Sequence, residues 1–429
     1  DLGLRLVRQL QQLRSQIPPG PGFLLRLFVL RALRPMPAHI LVAGGGIGGL
    51  ATALALAGGG HRVDVFEQAA AFGDIGAGVQ LGPNVTRRLS QLGLENSLAR
   101  VAAQPEALVV RSAGSGAEIG RLALGAAMRQ RYGAPYLCIH RADLHGLLLD
   151  AVRARGTGAL VTGAQIERVE LSDELVCVSS SDARAWEGEA VVGADGLWSV
   201  VRRRLDAASA GQPPRITGHT AWRALARQDA LPPALRRGGV EVWLGPQLHA
   251  VAYPVRAGEW LNVVVIAESA PAGNAHDWDQ ASSLAALQAA AGRTGASLQA
   301  LLEAMPGWRA WSLSDRPPLV SAAEMAHERL ALVGDAAHPM VPYLAQGAGM
   351  AIEDAVALSE ALGEGGSDAV PAAFARYAAA RWQRNAQVQA KARRNGQIFH
   401  ASGPVRLGRD LAMRALGERL LDQPWLYGG

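Results

Sequence analysis

Gly44, Gly46 and Gly49, with a carboxylate following at Glu67, are the residues whose spacing most clearly carries chemistry in this chain. In the order strand, glycine turn, helix, strand and acid, they form a site for a dinucleotide. The first glycine makes the tight turn, the second lets the backbone approach a pyrophosphate, and the third lets the helix lie close to the strand. The free N–H groups at the helix start face the phosphate charge. Glu67 ends the second strand, where it accepts hydrogen bonds from the adenosine ribose hydroxyls, and its charge disfavours a 2′-phosphate. A lone glycine fingerprint also fits an ordinary strand-turn-helix. Here the apolar run His39 to Ala43 precedes it, the Ala/Leu-rich segment Leu50 to Ala57 follows it, and Val63, Val65 and Phe66 supply the second strand.

A second constellation lies near the other end. Ala331-Leu-Val-Gly-Asp335 reads as a buried strand presenting an acid at a sheet edge, and Gly347 and Ala348 open a helix whose N–H groups point back towards it. A helix N-terminus is where a developing anion is stabilised. Between the two constellations, Val191 to Gly196 reads as another strand ending in a turn at Asp195 and Gly196, and Arg141 opens a long amphipathic helix. The glycine-dense loop Gly73 to Asn84 permits close approach of the backbone to a flat ligand.

The elements needed to position these groups change character along the chain. From Ile216 to about Ile266 the pattern is alternating strands with Pro/Gly turns, followed by helical segments from about Ser282 to Met305. The α/β pattern then resumes at Leu330, with helices over Ala348 to Leu362 and about Val370 to Gln397. The expected fold is α/β: a Rossmann-like dinucleotide domain split by an inserted antiparallel-sheet domain, with C-terminal helices. The expected division is an extension at 1–35, read as non-native or disordered, the first part of the dinucleotide domain at 36–215, the sheet domain at 216–329, and the second part with the C-terminal helices at 330–429.

Bulk composition excludes several classes. The 429 residues are 49% hydrophobic with a net charge of +5. Six arginines against Asp1 in residues 1–35 account for that excess, and the 36 basic and 36 acidic residues that follow balance. No nucleic-acid partner is therefore expected, nor an integral membrane segment. Cys138 and Cys177 are the only cysteines and form no CxxC pair, which removes a disulfide framework and a redox dithiol and fits the cytoplasm. No metal site is expected, and homodimerisation is left open.

Three separated motifs, GGGIGG at 44–49, GADG at 193–196 with Arg202 downstream, and GDAAHPMVPYLAQGAGMAIEDA at 334–355, carry a family resemblance. GAGVQLGPN, IHRADLH and TGHTAWRA agree with it. The chain resembles the flavin-dependent aromatic hydroxylases of the salicylate hydroxylase and 3-hydroxybenzoate hydroxylase type, built on the p-hydroxybenzoate hydroxylase fold. The resemblance implies FAD as cofactor, with its pyrophosphate on Gly44, Gly46 and Gly49 and its adenosine ribose on Glu67. It further implies Arg141 and Asp335 at the cofactor, the latter at the ribityl chain, and Gly347 and Ala348 over the pyrimidine edge of the ring. Asp195 and Gly196 belong to a motif linked to both FAD and nicotinamide, although Asp195 also reads as a plain turn acid.

With a single dinucleotide fingerprint, NADH or NADPH must visit transiently. The implied reaction is hydroxylation of a small phenolic or N-heteroaromatic acid by O2 through a flavin C4a-hydroperoxide. Candidate groups near the substrate are His219, His249 and Tyr253 on the inserted sheet, the last two sharing a strand face. Trp222 and Arg223 are expected near the flavin pocket, with the Pro339 carbonyl and Tyr343 bordering the flavin edge. Each of these also reads as structural. Pro342 departs from the glutamine expected in the closest 3-hydroxybenzoate 6-hydroxylases. A flavin halogenase is disfavoured because the only lysine, Lys391, sits in a C-terminal helix. A hydroxylase or epoxidase of a larger terpenoid or polyketide, and a non-catalytic flavin-binding protein, stay open as alternatives.

Overall fold

The structure, a computed structural model, describes residues 37–73, 76–156, 158–205, 213–271, 273–274, 276–363 and 369–428. The extension expected at 1–35 lies outside them. At the centre is a sheet in the spatial order Ala326–His327, Leu330–Leu332, Ala190–Gly193, His39–Ala43, Arg62–Phe66 and Leu160–Val161. All its pairings are parallel except that between the first two strands. Strands so covered on both faces read as continuous apolar runs, which is why HILVA and AVVG have no polar alternation.

The helix Ile47–Gly58 packs on this sheet between the helices Arg141–Arg155 and Gly347–Leu362. Its sequence, IGGLATALALAG, combines good helix formers with small side chains, and every residue from Gly49 to Ala57 is buried. The parallel strands bring Gly44, Glu67, Asp195 and Asp335 to one edge, because each lies just beyond the C-terminal end of its strand. Such an edge is where open α/β sheets bind ligands.

The second layer is an eight-stranded sheet in the order Gln280–Ser282, Trp308–Asp315, Arg215–Arg227, Trp260–Glu268, Leu248–Val255, Val240–Gly245, Ala107–Ser112 and Glu118–Ala123. Its last two strands come from within residues 36–215. Ala107–Ser112 pairs in parallel with Val240–Gly245, so the sheet draws on chain before the expected boundary. One face buries Trp222, Ala224, Ala250, Val263 and Val265 against the helices Leu284–Ala291 and Ala296–Glu303.

Cross-strand register fixes the opposite face, since directly paired residues share a face. Ile266 pairs with both Ala221 and His249, Val264 with Arg223 and Val251, Asn262 with Leu225 and Tyr253, and Glu268 with His219. This face packs against Val341, Tyr343 and Ala392, which come from the segment after Asp335 and from the long helix Val370–Phe399. The substrate-side and cofactor-side candidates thus meet between the two sheets.

Among the described residues no helix is long and apolar enough to cross a membrane.

Candidate active site

The glycine turn shows three different spatial requirements. A Cβ on Gly44, whose φ is +108°, would sit 2.3 Å from the Ala194 carbonyl oxygen, and one on Gly49 would sit 1.9 Å from the Gly44 oxygen. Both positions are filled by backbone. A Cβ on Gly46 would meet nothing within 4 Å among the described residues. The fingerprint therefore leaves one open side, at its second glycine and at the start of the helix, which no side chain caps. Anionic phosphate fits this cradle of unpaired N–H groups.

Glu67 accepts hydrogen bonds from the Gly45 N–H at 2.9 Å and the Ala69 N–H at 2.8 Å. A carboxylate has about four lone-pair positions, so two contacts leave acceptor capacity for hydroxyls. Asp195 accepts through Oδ2 from the Val200 and Val201 N–H groups at 2.7 and 3.3 Å, capping the short helix Val200–Leu205. Its buried Oδ1 has no hydrogen-bond partner among the described residues. Burial pushes its pKa up, against the pull of these hydrogen bonds. Asp195 is thus both a turn acid and the holder of an unused acceptor at the sheet edge.

Asp335 is exposed at the same edge, makes no side-chain hydrogen bond within the described residues, and feels the charge of Arg141 and the nearby His338. Gly347 and Ala348 open their helix without a side-chain cap, after Ala345 turns the chain at φ +51°. An open pyrophosphate cradle, a free carboxylate, an orphaned buried oxygen and an uncapped helix N-terminus on one edge fit a dinucleotide such as FAD.

Beneath this edge lies a buried charge network that the sequence did not reveal. Asp354 accepts from His338 Nε2 at 2.5 Å, the Gly334 N–H at 3.2 Å, Arg381 Nε at 2.8 Å and Asn385 Nδ2 at 3.0 Å. Glu353 takes Arg381, Arg384 and Asn84. Burial alone would raise the Asp354 pKa, but the charges of His338 and Arg381 overcome it and hold it at about 2. The Gly334 N–H ties this network directly to the turn that presents Asp335.

On the sheet face, His249 Nδ1 lies 2.9 Å from His400 Nε2. The rings of His249 and Tyr343 are 5.1 Å apart, and those of His219 and His400 5.2 Å. Burial, reinforced by the neighbouring imidazoles, pushes His249 well below its usual pKa, and burial with the charges of His219 and Arg409 brings His400 to about 3. Both rings are neutral near pH 7. Tyr343 carries a buried hydroxyl without a hydrogen-bond partner among the described residues, and its ring lies against Gly396, where a Cβ would be 2.8 Å away. His400 caps the C-terminus of the long helix, and no sequence spacing points to it.

Tyr253 stands further along the strand of His249, packed on Gly78 and beside Gln80, with burial raising its pKa. The structure does not bring it to the His249 cluster. The Pro339 carbonyl accepts from Gln389 Nε2 at 3.1 Å, which engages it with the long helix.

Trp222 corrects the expectation: it projects to the helix-covered face, where its Nε1 donates to Ser282 Oγ at 3.1 Å. Alternation in an extended strand sends it opposite to His219, Ala221 and Arg223. Arg223 is on the cofactor-side face, pairs with Asp279 at 2.5 Å and lies 5.3 Å over the Trp311 ring. Arg309 shares the same Asp279. Arg309 also feels the charge of Asp277, and the group lies beside a cavity of about 100 Å³ that Gly76 and Asn262 also line.

Residues 37–392 match the family model described as FAD binding domain. A 3-hydroxybenzoate 6-hydroxylase from Polaromonas naphthalenivorans (strain CJ2) is 38% identical over 397 residues, 92% of this chain and 96% of the relative. A 6-hydroxynicotinate 3-monooxygenase from Bordetella bronchiseptica is 36% identical over 363 residues, covering 82% and 89% of the two chains. Among solved structures, Klebsiella pneumoniae HpxO complexed with FAD and uric acid superposes with a TM-score of 0.77 at 25% identity, over 90% of this chain and 94% of the other. With the cradle, the sheet edge and these matches in agreement, the chain belongs to the FAD binding domain family as an oxidoreductase of the aromatic monooxygenase type.

Proposed function

We propose that this protein uses FAD, NADH or NADPH, and O2 to hydroxylate a small phenolic or N-heteroaromatic acid. The observation that carries this reading is the meeting of two surfaces. An edge of the parallel sheet suited to FAD, with Tyr343 in the segment after it, faces a sheet face that bears His249 and the Arg223–Asp279–Arg309 group. Relatives named for small aromatic acids match over most of the chain. The alternatives of a larger terpenoid or polyketide substrate gain no support from them.

Gly44, Gly46, Gly49 and the following helix start would hold the pyrophosphate, Glu67 the adenosine ribose, and Asp335 with Arg141 the ribityl side. Asp195 Oδ1, Gly196 and the N–H groups of Gly347 and Ala348 complete the set. When bound, reduced FAD supplies the activation of O2. The protein's task on the substrate side is to orient the ring and make it electron-rich by relieving it of a proton.

His249 suits that task, because a neutral imidazole accepts a hydrogen bond from a phenol without placing a positive charge beside the ring. His400 lies next in line through Nδ1 of His249, so a proton taken at Nε2 has a route towards the half-exposed His219. Arg223 and Arg309, both held on Asp279, would offer guanidinium N–H groups to the substrate carboxylate. Tyr343 would form the wall between ring and cofactor edge, and Trp222 serves packing. Pro342 offers no side-chain donor, so the substrate hydroxyl relies on His249.

The test is whether an aromatic acid accelerates NADH or NADPH oxidation by the FAD-loaded protein. Acceleration that His249→Asn abolishes, with FAD retained, supports the assignment. A flavoprotein indifferent to every acid would overturn it.

A further inference from the structure

We infer that His219, Glu268 and His400 form a binding site for a borderline divalent cation of the zinc type, at the outer end of the cleft and independent of the flavin reading. The three donors are brought together only by the fold. His219 and Glu268 are direct cross-strand partners, and His400 is carried over them at the end of the long helix. One ligand atom from each lies within 4.8 Å of the other two, and His400 Nδ1 is 4.0 Å from Glu268 Oε1. Donors about 2.0–2.2 Å from a tetrahedral ion sit roughly 3.3–3.5 Å apart, so the atoms must draw in by about 1 Å. Glu268 is exposed and its side chain can make that movement.

Two features distinguish this trio from a chance cluster. His400 is 6% exposed, yet its Nδ1 has no hydrogen-bond partner among the described residues, an expensive state for a buried imidazole nitrogen unless a ligand takes it. Each donor is also held from behind, as metal ligands are. His219 Nδ1 lies 3.1 Å from the Thr217 carbonyl, which fixes the proton there and leaves Nε2 as the donor atom. Glu268 Oε2 accepts from Gln247 Nε2 at 3.0 Å, leaving Oε1 free. His400 Nε2 faces His249 Nδ1. Two imidazoles and one carboxylate select a first-row ion such as Zn²⁺ or Co²⁺ over Mg²⁺ or Ca²⁺, with an open coordination position.

Binding has a defined consequence inward. A metal on His400 Nδ1 places the remaining proton on Nε2, which must then donate to His249 Nδ1. Neutral His249 is thereby fixed with its own proton on Nε2, so a bound ion turns that nitrogen from the acceptor of the metal-free protein into a donor and closes the proton route towards His219.

The experiment titrates the tag-free, FAD-loaded full chain, stripped with a chelator, with Co²⁺, reading its ligand-field absorption beyond the flavin band, and with Zn²⁺ against a chelating dye. The expected result is one ion per chain, with affinity at least tenfold weaker in His219→Asn, Glu268→Gln and His400→Asn, and about tenfold weaker in Gln247→Leu. Glu268→Gln changes only an exposed side chain, and an unchanged flavin spectrum reports its fold. Absence of stoichiometric binding, or binding that survives all three ligand substitutions, would overturn the inference.

Discussion

Replacing Asp354 by Asn removes one charge, keeps the volume, and strikes the turn that carries Asp335. The side chain accepts four hydrogen bonds, two at Oδ1 from Arg381 and Asn385 and two at Oδ2 from Gly334 and His338. If the amide oxygen stays with Arg381 and Asn385, its new NH2 faces the Gly334 N–H and His338. An unpaired buried N–H costs about 1–3 kcal/mol. Breaking one partner out of a buried ion pair costs about 3–5 kcal/mol, and the two effects overlap. A loss of about 3–5 kcal/mol is therefore expected, a large share of the roughly 5–15 kcal/mol by which folded proteins are stable. Urea unfolding followed by far-UV circular dichroism measures it, and flavin retained after gel filtration reports the local effect on the Asp335 turn. Arg381→Met in the same chain should recover part of the loss, because Arg384 still pairs with Glu353 and the substitution removes the guanidinium then in excess over that one carboxylate. An Asp354→Asn protein within about 1 kcal/mol of the parent, with full flavin, would refute the reasoning.

Asp335→Ala should fold and elute largely as apoprotein, and stoichiometric FAD in that variant would contradict its assigned role. Gly46→Ala should fold but hold FAD weakly, since its Cβ enters open space, whereas Gly49→Ala should lose fold stability, since its Cβ meets backbone at 1.9 Å; thermal midpoints and flavin content separate the two. Tyr343→Phe removes a buried hydroxyl that has no partner among the described residues, so stability should hold or rise, and a change in KM for the aromatic acid would then report substrate contact. Acid should weaken the fold through His249 and His400. Their folded pKa values are depressed, so their contribution is complete above about 6.5 and falls with pH by about 1.4 kcal/mol per unit for each ring until the folded pKa, about 3 for His400, is passed. His400→Asn should flatten that slope, which stability measured between pH 7 and pH 4 will show.

What the sequence disclosed was local. The glycine turn was readable because backbone fills the Cβ positions of Gly44 and Gly49, and only one residue type survives there. Glu67 and Asp335 were readable because each ends a short apolar run. The Asp354 network and the His249–His400 pair were not, since their members meet only when the helix Val370–Phe399 packs across both layers. Trp222, expected near the flavin pocket together with Arg223, lies on the helix-covered face, because period-two alternation separates it from His219 and Arg223. The sheet also recruits Ala107–Ser112 and Glu118–Ala123, because strand pairing depends on which edge is left open and not on proximity in the chain.

The most direct test of the central claim is the mass of the product formed by the FAD-loaded protein with NADH or NADPH under ¹⁸O2, across hydroxybenzoates, hydroxynicotinates and larger phenols. The account predicts that a small aromatic acid both stimulates nicotinamide oxidation and acquires one labelled oxygen. Stimulation without a labelled product, or labelling confined to large polycyclic substrates, would contradict it.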